Sequence, residues 1–167
     1  MANIFVISDT HFGHANILTF KNPDGSPLRD FYYIEEMDEH IIQRWNEVVR
    51  PCDKVYHLGD VTMDRKDVSV MKRLNGHKRL VRGNHDAAGT REYLKYIEEI
   101  YGCRVLDRMI LTHIPIHPDS LERFRGNIHG HIHSRKAPGP KYFNASVEAI
   151  DYTPISLEAV KKCLPAL

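Results

Sequence analysis

Cysteine is scarce in this 167-residue chain, with only Cys52, Cys103 and Cys163, an odd number at wide spacing. That excludes a disulfide framework as the basis of the fold and fits reduced thiols in a cytoplasm. Long apolar runs are also missing, and none approaches the roughly 18 residues of a membrane span. The apolar segment Ile4–Ile7 follows the first residues directly, with no basic stretch and no small-residue cleavage site before it. We therefore read no signal peptide and expect a cytoplasmic protein. Charge of one sign is not in excess: 23 Lys and Arg face 22 Asp and Glu, for a net charge of +1. Bulk nucleic-acid binding is not expected on that balance, so any affinity for phosphate must be local. There is no internal repeat, low-complexity tract or linker, and the length suits one domain over residues 1–167. A chain of this size buries a sizeable core without covalent staples. No heptad or interface stripe speaks to the oligomeric state.

Histidine, by contrast, is abundant, with 11 residues, most of them in short polar clusters just after apolar runs. Residues 3–7 read as a buried strand ending at Ser8-Asp9-Thr10-His11. Lys54–Leu58 reads as a second strand, ending at Gly59-Asp60, and Arg79–Val81 as a third, ending at Gly83-Asn84-His85-Asp86. Strands over Arg104–Leu106 and Met109–Thr112 follow, the latter running into His113. Gly126–His129 ends at Gly130-His131-Ile132-His133, and Lys141–Ser146 reads as a late strand. Between them, Ile34, Met37, Ile41, Trp45 and Val48 recur at helical spacing up to Arg50-Pro51. Lys66–Leu74 and Thr90–Ile100 read as further helices, and Ser156 caps a last one over Leu157–Leu164. Residues 22–30 are turn-rich and read as a loop. Strands alternating with helices predict a layered α/β domain. In such sheets ligands bind at the carboxyl ends of the strands, where the polar clusters fall.

The candidate donors are Asp9, His11, Asp60, Asn84, His85, His113, His131 and His133. Imidazole, carboxylate and one amide suit borderline divalent ions such as Mn, Zn, Fe or Ni, not calcium, which prefers oxygen throughout. Without cysteine in the set, a structural zinc finger is excluded. In extended backbone the pairs Asp9/His11 and His131/His133 point their side chains the same way. Even seven of these eight donors exceed one tetrahedral ion and suit two ions sharing a carboxylate. Two divalent ions, two carboxylates and a bridging hydroxide leave a formal charge of about +1, enough to hold an anionic ester without a basic surface.

The motifs D-x-H, G-D, G-N-H-[DE], H and G-H-x-H occur in this order across residues 9–133, and in this the sequence resembles the calcineurin-like metallophosphoesterases, in particular their small bacterial and phage members. The resemblance implies a layered sandwich of two mixed β-sheets flanked by helices. It implies two divalent metal ions, manganese first among the candidates: Asp9, His11 and His133 on one, Asn84, His113 and His131 on the other, and Asp60 bridging them. His85 would bind no metal and would protonate the leaving alkoxide, with Asp86 orienting it. The expected reaction is hydrolysis of a phosphodiester or phosphomonoester, small or nucleotide in kind, by a metal-bridging hydroxide formed from a water whose pKa coordination lowers from 15.7 to about 7. Nuclease or nucleotide pyrophosphatase activity on the same site is the alternative. A catalytically silent metal-binding scaffold is the reading from another class, against which stands the intact set of ligands and His85.

Around the motifs, His14 is a candidate contact for substrate phosphate, and Arg82 and Arg29 are candidate bidentate clamps on a phosphate oxygen, each weighed against ordinary loop packing or a surface ion pair. Phe31-Tyr32-Tyr33 either roofs the site or packs the start of the first long helix. Asp64 offers a carboxylate that matches no family ligand. His57, His117 and His129 read as structural.

Overall fold

The computed structural model describes residues 2–63 and 68–166. Strand β1 (Ile4–Ile7) is followed by a 3-10 turn at Ala15–Thr19 and helix α1 (Ile34–Val48). Then come β2 (Lys54–His57), β3 (His77–Val81), the short helix α2 (Thr90–Tyr93), β4 (Glu99–Tyr101), β5 (Arg104–Leu106) and β6 (Met109–Leu111). β7 (Gly126–His129), β8 (Tyr142–Asn144), β9 (Ile155–Ser156) and helix α3 (Leu157–Cys163) complete the order. Five strands form one sheet in the order β4-β3-β2-β1-β9, and four form a second in the order β5-β6-β7-β8. Both sheets are mixed. β1 to β4 run parallel with β9 antiparallel at the edge, and β6 to β8 run parallel with β5 antiparallel. The layered two-sheet architecture expected from the sequence is the one observed.

The alternation of β1 explains the layers. Phe5 and Ile7 join the core shared with α1, whereas Val6 joins the core shared with the second sheet. Both faces are therefore covered, and the strand is apolar throughout rather than alternating with polar residues. On α1, Met37, Ile41 and Trp45 lie four residues apart and are fully buried, so one stripe of the helix seals the sheet. Burial of each such side chain contributes roughly 1.5–3 kcal/mol. Trp45 also donates its indole N–H to the Asn75 carbonyl at 3.0 Å. On α3 and at its C-cap, Leu157, Val160 and Leu164 join the inter-sheet core, and the Ser156 hydroxyl accepts from Ala159 N–H at 3.2 Å as the expected cap.

Two expectations need correction. The helix expected over Thr90–Ile100 stops at Tyr93. Residues 99–101 instead pair in parallel with Arg79, Leu80 and Val81 of β3, because the open edge of the sheet offers hydrogen bonds that outweigh local helical spacing. The helix expected over Lys66–Leu74 is a 3-10 turn at Val68–Arg73; Lys66, Asp67 and Asp64 lie outside the described residues. Strand β9 had no signal strong enough to read, being two residues long. Of the aromatic run, Phe31 packs against His40 and Tyr152, while Tyr32 and Tyr33 are exposed, so the run packs the start of α1 and forms no roof. All three cysteines are free and exposed. Among the described residues, no helix is long and apolar enough to cross a membrane.

Candidate metal centre

Because β1, β2 and β3 are parallel, and β6, β7 and β8 likewise, their carboxyl ends lie along one rim of each sheet. The two rims are joined directly: Ser8 N–H donates to the Ala145 carbonyl at 2.8 Å, and Val147 N–H to the Ser8 carbonyl at 3.1 Å. Every polar cluster read from the sequence leaves a strand at this seam.

The backbone there is unusual. Asp9 (φ 58°), His11 (49°), Asp60 (57°), His131 (70°) and His133 (52°) all adopt the left-handed conformation. The side chains thus converge through turned backbone, not through the extended alternation expected for Asp9/His11 and His131/His133. Such residues cost on the order of 1–3 kcal/mol each and persist only where surrounding structure fixes them. Here the loops brace one another: Asp9 N–H donates to Gly59 O at 3.0 Å, His11 N–H to Asp60 O at 3.0 Å, and Gly130 N–H to His113 O at 2.9 Å. Two glycines permit the approach. A Cβ on Gly83 would collide with Asp60, and one on Gly130 would collide with Ser8 and Asp9.

Two clusters result. Ligand atoms of Asp9, His11 and His133 lie within 4.8 Å of one another, as do those of Asp60, His113 and His131. Asn84 joins the second cluster, its Oδ1 at 3.0 Å from His113 Nε2. Asp60 Oδ2 stands between the clusters, 3.3 Å from His113 Nε2 and 3.7 Å from His11 Nε2. Buried Asp9 Oδ1 and His11 Nε2 have no hydrogen-bond partner among the described residues. Leaving such atoms unpaired costs about 1–3 kcal/mol each, whereas a cation satisfies both. The donor chemistry and these orphaned atoms fit a borderline divalent metal.

Electrostatics agree with a ligand set. Burial and the Arg29 guanidinium hold the His11 imidazole neutral, pushed down to about 2. Burial pushes the Asp60 carboxyl up, but the hydrogen bond and charge of His113 outweigh it and hold it at about 2. His113 and His133 feel the same burial in the opposite sense. Their carboxylate neighbours, Asp60 and Glu148 respectively, prevail and raise both above the ordinary histidine value.

Of the remaining expected site residues, His85 and His14 share a cavity of about 300 Å³ with His11 and His133. His85 N–H donates to Asp60 Oδ1 at 2.9 Å, which fixes its turn against the clusters. Asp86 does not meet its expected role. Its buried carboxylate accepts from Gly83 N–H (2.8 Å), Asp60 N–H (2.9 Å), Val61 N–H (3.0 Å) and the Tyr93 hydroxyl (2.8 Å), so it ties loops together rather than orienting the His85 ring. Arg82 directs its guanidinium to the Asp86 and Ala88 carbonyls and the Thr90 hydroxyl, holding residues 86–90 instead of reaching for phosphate. Arg29 is 1 % exposed and spends its donors on the carbonyls of Asp9 (2.6 Å) and Thr10 (2.9 Å) and on Glu148 (2.8 Å). A substrate clamp at Arg29 is therefore ruled out by burial.

Two residues escaped the sequence reading. Ser146 donates its hydroxyl to Asp9 Oδ2 at 2.9 Å, and Glu148 Oε1 lies 2.9 Å from His133 Nδ1. Burial pushes Glu148 up, but His133 and Arg29 hold it at about 2. The only signal in the sequence was their position just after a late strand. His57 and His129 are buried, as expected of structural histidines, and exposed His117 caps the turn at Pro118–Leu121.

Comparison with known proteins accords with this arrangement. Residues 2–144 match the family model of the calcineurin-like phosphoesterase superfamily domain. The uncharacterized protein MJ1445 of Methanocaldococcus jannaschii is 36% identical over 98% of this chain and 92% of its own length. The Gene 66 protein of Mycobacterium phage L5 is 32% identical over 52% of this chain and 41% of its own. Among solved structures, the protein of unknown function AQ665 from Aquifex aeolicus superposes with a TM-score of 0.75 at 31% identity, covering 97% of this chain and 99% of that one. Nuclease MPE of Pseudomonas putida shares the fold, with a TM-score of 0.51 at 23% identity over 78% of this chain and 61% of that one.

Proposed function

This chain belongs to the calcineurin-like phosphoesterase superfamily, and we propose that within it the protein is a dinuclear metal-dependent hydrolase of phosphodiesters. The observation that carries this reading is the pair of donor clusters with Asp60 Oδ2 facing both. Asp9, His11 and His133 would hold one ion and Asn84, His113 and His131 the other. Two divalent ions supply Lewis-acid polarisation of a phosphoryl group and a water of lowered pKa. Manganese is the first ion to test, since donor type alone admits zinc, iron and nickel as well.

The chain's own groups do the rest. His85, in the cavity beside His11 and His133, donates a proton to the leaving oxygen, and His14 on the same wall contacts the phosphate. Asp60 Oδ1, accepting from the His85 backbone N–H, keeps the turn that carries this ring in register with the clusters. Arg29 and Glu148 hold the first cluster without touching substrate.

The preference for a diester rests on space on two sides. A cleft of about 520 Å³ opens at His133, edged by Phe20, Lys21 and Arg135. Another of about 380 Å³ opens at Asn84 and His113. A phosphorus carrying a substituent on each side would use both. The first cleft favours a nucleotide as one substituent: Phe20 is 45% exposed, and Lys21 and Arg135 make no ion pair among the described residues. Nuclease activity is thus the second reading, in line with the nuclease of the same fold.

The test is hydrolysis of bis(p-nitrophenyl) phosphate and p-nitrophenyl phosphate by metal-stripped protein, with and without manganese, alongside metal content per chain. Manganese-dependent turnover of the diester, with two ions bound, is expected. Turnover of the monoester alone overturns the diester preference. A chain that binds no metal and turns over neither substrate would be a scaffold. A dinucleotide cleaved faster than the nitrophenyl diester favours the nuclease reading.

A further inference from the structure

Residues 146–148 lie beyond the stretch matched by the family, yet they touch the first cluster twice. Ser146 Oγ and the His131 N–H both bond Asp9 Oδ2, each at 2.9 Å, which leaves Asp9 Oδ1 alone to face inward. Two residues further on, Glu148 Oε1 lies 2.9 Å from His133 Nδ1. The Glu148 side chain is only 4% exposed, and the fully buried Arg29 guanidinium reaches the same Oε1 through Nε and Nη2, each at 2.8 Å. Arg29 also grips the carbonyls of Asp9 and Thr10. One guanidinium therefore locks the loop bearing Asp9 and His11 to the carboxylate that abuts His133.

We propose that Glu148, held by Arg29, is the positioning residue of the first metal site. It accepts the proton of His133 Nδ1 in a hydrogen bond and so presents Nε2 as the ligand. A carboxylate can only accept here, so the imidazole must donate at Nδ1, and its remaining lone pair is fixed on the opposite edge of the ring. A metal-binding histidine braced in this way is oriented and made more basic, and loss of such a brace typically lowers metal affinity about 10–100-fold. Among the described residues the second site shows no equivalent acid: His113 Nδ1 bonds the Leu58 carbonyl at 2.8 Å. Removal of Glu148 should therefore act on one ion of the two.

This inference rests on the proposal that the clusters hold metal, and the experiment separates the two. The metal-stripped 167-residue wild type and Glu148→Gln are titrated with Mn²⁺, and free manganese is followed by electron paramagnetic resonance. Glutamine keeps an acceptor oxygen for Arg29 and His133 but removes the carboxylate charge that makes the imidazole more basic, and circular dichroism and thermal melting check the fold. Wild type should bind two ions, and a folded Glu148→Gln should bind one normally and the other about 10–100-fold more weakly. A folded variant that binds both ions with wild-type affinity overturns the role of Glu148 and leaves the metal centre standing. A wild type that binds none overturns the centre itself. Should the variant fail to fold, the histidine ¹H–¹⁵N spectrum of zinc-loaded wild type decides. His133 ligated through Nε2 with its Nδ1 proton retained supports the proposal, and ligation through Nδ1 overturns it, because that nitrogen could then no longer donate to Glu148.

Discussion

Replacement of Asp86 by alanine tests whether this residue serves the chemistry or the scaffold. Its two oxygens accept four hydrogen bonds, from the N–H groups of Gly83, Asp60 and Val61 and from the Tyr93 hydroxyl. Burial and the Asp86 charge push the Tyr93 hydroxyl's pKa upward, so it stays protonated and a donor. Alanine would strand all four donors in a buried pocket. An unsatisfied buried donor costs about 1–3 kcal/mol, and water entering the space of the lost carboxylate would recover part of it. A net loss of roughly 4 kcal/mol follows, a large share of the roughly 5–15 kcal/mol of a typical domain. With a urea m-value of about 2 kcal/mol/M, the unfolding midpoint should fall by about 2 M. Asp86→Asn keeps acceptors for only some of the donors and turns its own N–H₂ towards others, so it should fall between. The assay is urea unfolding followed by tryptophan fluorescence, with Trp45 as the single reporter. A folded Asp86→Ala with the wild-type midpoint but abolished turnover would refute the reasoning and return Asp86 to the role of orienting His85.

His85→Ala should keep two bound metals and lose about 10²–10⁴-fold in turnover; undiminished turnover would sink the general-acid role. Gly130→Ala drives a methyl group into Ser8 and Asp9, so thermal melting should show marked destabilisation and metal titration a weakened first site; a variant with unchanged melting and metal binding would contradict the packing described. His113 and His133 are raised above the ordinary histidine value in the metal-free protein. Metal must displace those protons, so calorimetry in buffers of different ionisation enthalpy should show proton release, and affinity should weaken as pH falls towards 6. Affinity that does not change between pH 8 and 6 would argue against ligation by these imidazoles.

Much of this arrangement was legible in the chain. Apolar runs such as Ile4–Ile7 and Met109–Leu111 announce strands, the 37/41/45 stripe announces α1, and the polar motifs at the strand ends locate the rim. These signals are local: side-chain periodicity and residue type act over a few positions and are written directly in the sequence. What escaped was set by partners far apart. Residues 99–101 became a strand because β3 left an open edge, whatever their own helical spacing. Arg29 reads as a surface cation until the fold places Glu148, 119 residues away, against it in a space from which water is excluded. Asp86 reads as a helper of its neighbour His85 until Gly59-Asp60 and Tyr93 fold around its carboxylate. The sequence alone determined which chemistry is present and at which strand ends. The tertiary structure decided which polar atoms are consumed in holding loops and which remain turned inward. A hydrogen bond has a partner only once distant segments meet, and a buried charge is stable only where the fold supplies its opposite.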